Sequence, residues 1–158
     1  MKRIFYIALF LALIAGCGQR KPVSQVYHFK NATWERFKHL NFELPVENTR
    51  QQYDLTLVMR YSDKLSENAL PLNVVMITPE GEERIKEYTF FVKDNNGNFA
   101  GNPVNGIYQM VIPIRKEVRF GKKGMVKFEI ENLNSKYYTP GIIEMGVVME
   151  PSTEKKEN

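Results

Sequence analysis

With 158 residues and a single cysteine, the chain is long enough for one domain with its own core and has no cysteine pair for an internal disulfide. Its formal net charge of +4 falls to +2 once Lys2 and Arg3 are removed, because 20 Lys and Arg then face 18 Asp and Glu. So small a net charge, without a cluster of Lys and Arg in the sequence, argues against nucleic acid as a partner.

The first 16 residues have the pattern of a cleavable secretory signal. Lys2 and Arg3 precede an apolar run over 4–14, and small residues follow it. The run is shorter than the roughly 20 residues that a membrane-spanning helix needs. Cys17 comes directly after the small residues, so the site resembles a bacterial lipobox. That resemblance implies cleavage before Cys17, a thioether-linked lipid on its sulfur and acylation, palmitate included, of the new amino terminus. An ordinary signal with an incidental thiol is the alternative.

The chain behind the signal divides into three parts. Residues 17–24 are short and polar and predict a lipidated tether. Residues 25–150 predict one β-domain, and residues 151–158 a charged, disordered tail.

Period-two alternation dominates residues 25–150 and predicts strands rather than helices. Residues 34–37 could form a helical turn, although we favour a lead into the second strand. Residues 72–92 predict a hairpin around 78–81, and residues 94–106 a long surface loop. The fold class predicted is all-β: a single antiparallel β-sandwich, jelly-roll or immunoglobulin-like, with a closed barrel as the alternative. We expect about eight strands, at 26–29, 37–44, 53–60, 72–78, 82–92, 107–114, 126–131 and 143–150.

No pattern of reactive residues points to an enzyme or to a cofactor. His28 and His39 lie in predicted strands and are interpreted as surface histidines. Neither metal-ligand spacing nor a Gly-x-Ser-x-Gly motif occurs in the sequence. A hydrolase would need carboxylates such as Asp94, Glu129 and Glu144 to gather in one cleft.

A calcium loop is a weaker interpretation of the segment that begins at Asp94. Asp94, Asn96 and Asn98 place side-chain oxygens at alternate positions, as a hard cation requires. Gly97 and Phe99 stand where a calcium loop of the helix-loop-helix type would not have them. A hairpin loop rich in turn-forming residues is therefore favoured, and no metal is expected.

Aromatic residues in or beside loops give the best candidate for a binding surface: Trp34, Phe99, Tyr137 and Tyr138. Such side chains form flat contact surfaces for glycans or peptides in β-sandwich modules. They also close the ends of sandwiches by packing inward. We favour packing for Trp34 and leave both interpretations open for the Tyr137-Tyr138 pair.

The ordered features of the mature chain resemble the gliding-motility lipoprotein H family of Bacteroidota. The resemblance covers nearly the whole mature chain and rests on the order and spacing of short motifs. These are the lipobox at Cys17, Trp34 ahead of Phe42-Glu43-Leu44-Pro45, Tyr53-Asp54-Leu55 leading to Arg60, Pro71-Leu72, Thr78-Pro79-Glu80-Gly81, Asp94 and Gly97 with Gly101, and Gly141-Ile142-Ile143-Glu144-Met145-Gly146-Val147.

The resemblance implies a membrane-anchored, non-catalytic component associated with gliding motility and the linked secretion machinery. Other envelope proteins are the expected partners, reached through protein-protein contacts. The expected location is the bacterial cell envelope, with the outer membrane favoured and the domain in the periplasm or at the surface. The alternative function is a lipid-anchored module that binds glycan or peptide.

Overall fold

Residues 21–152, which the computed structural model describes, form ten β-strands and one 3₁₀ turn, Lys30–Ala32, with no α-helix among them. Cys17, the predicted signal and residues 153–158 lie outside this range. No helix in the described part is long and apolar enough to cross a membrane. The strands are β1 Val23–His28, β2 Thr33–Glu35, β3 Leu40–Val46, β4 Tyr53–Ser62, β5 Ala69–Ile77, β6 Glu83–Phe91, β7 Ile107–Val118, β8 Gly124–Asn132, β9 Tyr138–Pro140 and β10 Ile142–Pro151.

The strands form two four-stranded antiparallel sheets and one two-stranded sheet. The first large sheet has the order β1-β10-β4-β7, the second has the order β3-β8-β5-β6, and β2 pairs with β9. Both large sheets end in edge strands, so the sheets are open and the barrel alternative is wrong. The predicted antiparallel β-sandwich is confirmed, as is the hairpin over 72–92, in which β5 pairs with β6.

Alternation along the strands places the core between the two sheets. In β4, Tyr53, Leu55, Leu57 and Met59 are buried while the residues between them are half-buried. The second sheet repeats the pattern, for example in β8, where buried apolar residues alternate with exposed or half-buried ones. Each large apolar side chain removed from water contributes about 1.5–3 kcal/mol, so this shared core can hold the domain together without cross-links.

Several strand limits differ from the sequence-based prediction. The first strand begins at Val23 rather than at residue 26, and the last one includes Pro151. The second predicted strand, 37–44, begins only at Leu40, because Phe37 lies in a turn that follows β2. His39 is therefore outside a strand. Neither β2 nor β9, three residues each, was predicted.

Strand β7 runs beyond its predicted end at 114 and passes through Pro113. Proline is tolerated there because β7 is an edge strand, where a missing backbone N–H leaves no partner unsatisfied. The strand then bulges at Glu117, which has φ of 54°. The Glu117 N–H donates to Asp54 Oδ1 at 2.8 Å, and Val118 is turned back toward the core.

The antiparallel strands give the sandwich two distinct ends. At the N-terminal end Val23 is paired with Met149, and Tyr53 is paired with Pro151. At the opposite end, which we call the aromatic end, Tyr61 is buried among the loops that join the strands. The ten residues of β4 separate the two ends by about 33 Å.

Candidate functional site

Three exposed aromatic side chains meet at the aromatic end. The rings of Tyr137 and Tyr138 are 4.6 Å apart between centroids and lie edge to face. Phe37 adds a third ring, 6.0 Å from Tyr137. Their exposed fractions are 51%, 59% and 69% for Tyr137, Tyr138 and Phe37. We call these three residues the aromatic cluster; exposed groups of this kind mark contact surfaces.

The short sheet of β2 and β9 carries the aromatic cluster. Glu35 is paired with Tyr138, and one residue later the Arg36 N–H donates to the Tyr137 carbonyl at 2.8 Å. The Arg36 guanidinium donates to the Ser135 carbonyl at 3.2 Å and lies 5.5 Å from the centre of the Phe37 ring. Arg36 thus links the turn that bears Phe37 to the segment that bears the two tyrosines.

A buried polar network fixes the base of β9. Thr139 and Asn132 are almost fully buried, and Asn132 Nδ2 donates to Thr139 Oγ1 at 3.1 Å. Asn134 Nδ2 donates to the same hydroxyl oxygen at 3.2 Å, while the Asn134 N–H donates to Asn132 Oδ1 at 2.9 Å. Because buried polar groups are costly unless they are bonded, this network holds the 132–139 segment in one conformation.

An ion pair beside the cluster adds to this restraint. Lys136 Nζ lies 2.8 Å from Glu67 Oε1, a buried oxygen with no hydrogen-bond donor in good geometry, so the ammonium supplies its counter-charge. Burial raises the pKa of Glu67, but the interactions of its carboxylate with the side chains of Lys136, Ser66 and Asn134 outweigh burial and lower that pKa to about 2. Glu67 therefore stays ionised and holds the segment before Tyr137 against the 63–68 loop.

Ser66 connects the loops of the aromatic end to one another. Its carbonyl accepts a hydrogen bond from Lys93 Nζ at 3.1 Å, and its hydroxyl oxygen accepts one from Lys136 Nζ at 3.3 Å. The same hydroxyl donates to Glu67 Oε2 at 2.7 Å. The 63–68, 92–106 and 133–137 loops are thus joined through side chains.

Trp34 is not part of the exposed surface. Its side chain has 0% exposure, its ring packs 5.0 Å from that of Phe29, and its Nε1–H donates to the Lys38 carbonyl at 2.8 Å. Pairing of Trp34 with the buried Thr139 in the β2–β9 ladder directs this position inward. Trp34 therefore does not belong to the exposed surface, and its inclusion among the binding-surface candidates is corrected. The favoured interpretation, that Trp34 packs inward, agrees with its burial.

Phe99 also lies apart from the aromatic cluster. It is half-buried, with ring centroids 5.0 Å from Tyr108 and 6.1 Å from Tyr61. The Lys93 ammonium stands 4.8 Å from the centre of its ring. Phe99 thus packs the 92–106 loop onto the first sheet.

Phe37 is the member of the cluster that the sequence did not single out. Sequence alternation places it in the predicted strand 37–44, in which an aromatic residue needs no special explanation. The available signal was its place three residues after Trp34, where the alternation that marks the following strand has not yet begun.

In the segment considered as a calcium loop, the carboxylate oxygens of Asp94 accept hydrogen bonds from within the turn. Asp94 Oδ1 accepts hydrogen bonds from the N–H groups of Asn96 and Asn98 at 2.8 and 2.9 Å, and Oδ2 accepts one from Asn98 Nδ2 at 3.2 Å. The bonds from Asn98 are the main reason that the pKa of Asp94 is lowered. Within residues 21–152 no three His, Cys, Asp or Glu side chains converge as metal ligands would.

The three carboxylates that a hydrolase would need are separated. Glu144 lies on the outer face of the first sheet, where Arg60 Nη1 donates to both of its oxygens at 3.0 and 3.1 Å and His28 Nδ1 is 3.1 Å away. Glu129 lies on the outer face of the second sheet and contacts His39. Asp94 is in a loop, and both histidines are at the surface, as expected.

Comparisons with known proteins agree with the sequence-based resemblance. The model of the family described as GldH lipoprotein matches residues 22–149. The gliding motility lipoprotein GldH of Flavobacterium johnsoniae is 25% identical over 125 residues, which cover 79% of this chain and 77% of that protein. In the structure of infectious bursal disease virus Gx strain, 34% of one chain aligns with 87% of this chain at 11% identity and a TM-score of 0.37, too low to support an argument. The family match spans nearly all of the β-sandwich, and the chain belongs to the GldH family of gliding-motility lipoproteins of the cell envelope.

Proposed function

We propose that this lipoprotein is anchored through a lipid on Cys17 and acts without catalysis, by holding another envelope protein against its aromatic cluster. The carrying observation is that Phe37, Tyr137 and Tyr138 are exposed together on a base fixed by hydrogen bonds and an ion pair. Rigid aromatic side chains lose little conformational entropy on binding, and such residues dominate protein-protein interfaces.

The position of the cluster supports this role. Lys21, four residues after Cys17, borders a hollow at the N-terminal end, whereas the cluster lies at the other end of the sandwich. The cluster lies about 30 Å from the start of the first strand, given the length of β4, so a domain that stands upright on its lipid would hold the cluster well away from the membrane. Confinement to a membrane raises the effective concentration of the cluster toward neighbouring proteins. The outer membrane is the proposed site of attachment.

The non-catalytic part of the proposal is supported by how the acidic residues are used. Glu67, Asp94 and Glu144 each accept hydrogen bonds that orient loops or strands. Glu129 and Glu144 stand on opposite faces of the sandwich, too far apart to act on one bond.

Photocrosslinking in the native envelope tests the contact surface. A Tyr138→benzoylphenylalanine variant should give one discrete adduct with another envelope protein. Val111→benzoylphenylalanine is the matched control, because Val111 is 51% exposed on the outer face of the edge strand β7. The same adducts from both positions, or none from position 138, would contradict the proposal.

Cell fractionation tests the anchor separately. The Cys17→Ser chain, exported with a cleavable non-lipoprotein signal, should leave the membrane pellet almost completely and keep the thermal midpoint of the native domain, whose core lies within residues 21–152. Retention of this variant in the pellet after a salt wash would refute lipid anchoring through Cys17.

The exposed tyrosine pair also favours a second candidate function, a lipid-anchored module for glycan or peptide. Aromatic faces stack on sugar rings as well as on protein side chains. Calorimetry with glycans that bind the native chain would distinguish the two candidates. Binding that is unchanged in Tyr137→Ala and Tyr138→Ala would rule the second one out.

A further inference from the structure

A polar hollow of about 360 Å³ opens at the N-terminal end of the sandwich, away from the aromatic cluster. Two arginines, two glutamines and one serine form its walls: Arg50, Gln51, Gln52, Arg119 and Ser152. The wall residues carry two positive charges and no carboxylate. The guanidinium groups and the side-chain amides beside them provide hydrogen-bond donors for an oxyanion.

Neither arginine is neutralised within the described residues. Arg50 and Arg119 are both exposed, and neither forms an ion pair in residues 21–152. The nearby carboxylate of Asp54 is already engaged, because its Oδ1 accepts hydrogen bonds from the Ser152 hydroxyl at 2.6 Å and from the Glu117 N–H at 2.8 Å. The two guanidinium groups are therefore not matched by a carboxylate in the walls of the hollow.

The backbone that carries the two arginines is well fixed. Arg119 stands between Val118 and Phe120, both buried, and the Phe120 ring packs 6.0 Å from that of Tyr53. The Arg50 N–H donates to Asn48 Oδ1 at 3.0 Å, so a side-chain cap holds the start of its turn. Because the backbone is already ordered, binding a ligand costs the conformational entropy of the two side chains and not that of the segments that carry them.

The hollow lies at the N-terminal end of the domain, the end that is nearest to Cys17 along the chain. The neighbouring hollow, of about 320 Å³, is bordered by Lys21, Val23 and Glu47 among others. Four residues of extended chain reach at most about 14 Å, so a lipid on Cys17 would keep this end close to the headgroups. Exposed Lys122 and Lys123, in the turn before β8, add positive charge at the same end.

We propose that Arg50 and Arg119 bind the phosphate of a phospholipid headgroup and so orient the anchored domain on its membrane. This inference rests on the proposed anchoring through Cys17, which brings the hollow to the membrane. A single point of attachment does not by itself set the orientation of a domain on a membrane. A phosphate held in the hollow fixes a second point, so the aromatic cluster faces away from the membrane.

Vesicle sedimentation tests the site without the covalent anchor. The mature chain from residue 17 with Cys17→Ser carries no acyl group and is mixed with vesicles of phosphatidylglycerol and phosphatidylethanolamine in equal parts. We expect binding that weakens with added salt and falls about 20-fold in R50Q/R119Q, since each cation at an anionic membrane surface contributes roughly fivefold.

The control K30Q/K64Q removes the same charge from two exposed lysines at the aromatic end. It should bind the vesicles within about twofold of the parent chain, because charges beyond a Debye length of about 10 Å are screened. Equal losses in both double variants, or unchanged binding of R50Q/R119Q, would overturn the proposal. Because the acyl group is absent, these outcomes are independent of whether Cys17 is lipidated in cells.

Inorganic phosphate alone distinguishes a lipid source from a soluble one. Arginine Nε–Hε signals followed by NMR should shift only at millimolar phosphate, and the shifts should vanish in R50Q/R119Q. Tight phosphate binding with no binding to vesicles would refute the headgroup as the ligand.

Discussion

The N-terminal end and the aromatic end of the sandwich are closed in different ways. Short turns close the N-terminal end: the 78–81 turn packs against the 121–124 turn, and Glu80 Oε1 accepts a hydrogen bond from the Lys122 N–H at 2.8 Å. Longer loops close the aromatic end, where bonds between side chains hold them, with Ser66, Glu67 and Lys136 at the centre. The N-terminal end thus depends mainly on short turns with bonds from backbone N–H groups to side chains, and the aromatic end on bonds between the side chains of different loops.

The two ends should therefore differ in their sensitivity to substitution and to pH. Turns that depend on backbone conformation tolerate a change in most side chains. Loops that depend on one buried carboxylate lose order when its charge is removed. The aromatic end, which carries the proposed contact surface, is therefore the more easily disturbed of the two.

The largest effect is expected for Gly141→Ala. Gly141 has φ of +88°, and a Cβ there would overlap the backbone N of Leu65, which cannot move without shifting the chain around it. We expect a loss of roughly 3 kcal/mol or more in the free energy of unfolding by urea. Gly81→Ala at the N-terminal end, with φ of +92° and open space, is the control and should cost only about 1 kcal/mol. Equal costs would show that the close contact is not rigid.

The next largest effect is expected for Glu67→Gln, which should lower the free energy of unfolding by about 2 kcal/mol at neutral pH. The pKa of Glu67 is lowered from 4.5 to about 2 in the folded chain, so its contribution is complete above pH 4.5 and is lost as the pH falls toward 2. Urea unfolding across this range should show the native and variant chains converging. Glu43→Gln removes the exposed pair with Lys127 and should cost less than about 1 kcal/mol. A difference in the free energy of unfolding between the native and Glu67→Gln chains that persists below pH 2 would show that packing causes the effect.

A smaller change in stability is expected for the double variant Y137A/Y138A. Both rings are more than half exposed, so their removal should change the free energy of unfolding by less than about 1 kcal/mol. The adduct formed by a photoreactive group at position 37 should nevertheless disappear. A large loss of stability would mean that the tyrosines support the fold and are not a contact surface.

No effect is expected from calcium. The carboxylate of Asp94 already accepts bonds from Asn96 and Asn98, so the thermal midpoint should be the same with calcium and with chelator. A midpoint that rises with calcium, and no longer does so in Asp94→Asn, would restore the calcium interpretation of this loop.

The sequence predicted the long strands well because each alternates over six residues or more, as β4 and β8 do. It could not predict β2 and β9, since three residues are too few to show a period of two. Of the aromatic cluster, the sequence predicted Tyr137 and Tyr138 but not Phe37. Phe37 and Tyr137 are 100 positions apart in the chain and meet only because β2 pairs with β9. The same pairing decides that Trp34 points inward.

Motifs behind the family resemblance turn out to have structural roles. Arg60 and Glu144, from two separate motifs, form an ion pair with two hydrogen bonds that joins β4 to β10. Gly81 provides the positive φ of a turn, and Gly141 allows the approach of the Leu65 backbone. The resemblance could therefore identify the family, whereas the proposed contact surface depends on which aromatic side chains the structure leaves exposed.

The pairing of β1 with β10 determines how the domain carries mechanical load. Residues Val23 to His28 are in continuous antiparallel register with Met149 to Glu144. In the proposed arrangement, tension between a lipid at the amino terminus and a partner at the aromatic end would run along these strands, so their hydrogen bonds would resist in shear and share the force. Tension between the two ends of the pair that meet at Val23 and Met149 would instead separate β1 from β10 one bond at a time. The first strand would thus make the domain a strong link in the direction from membrane to partner.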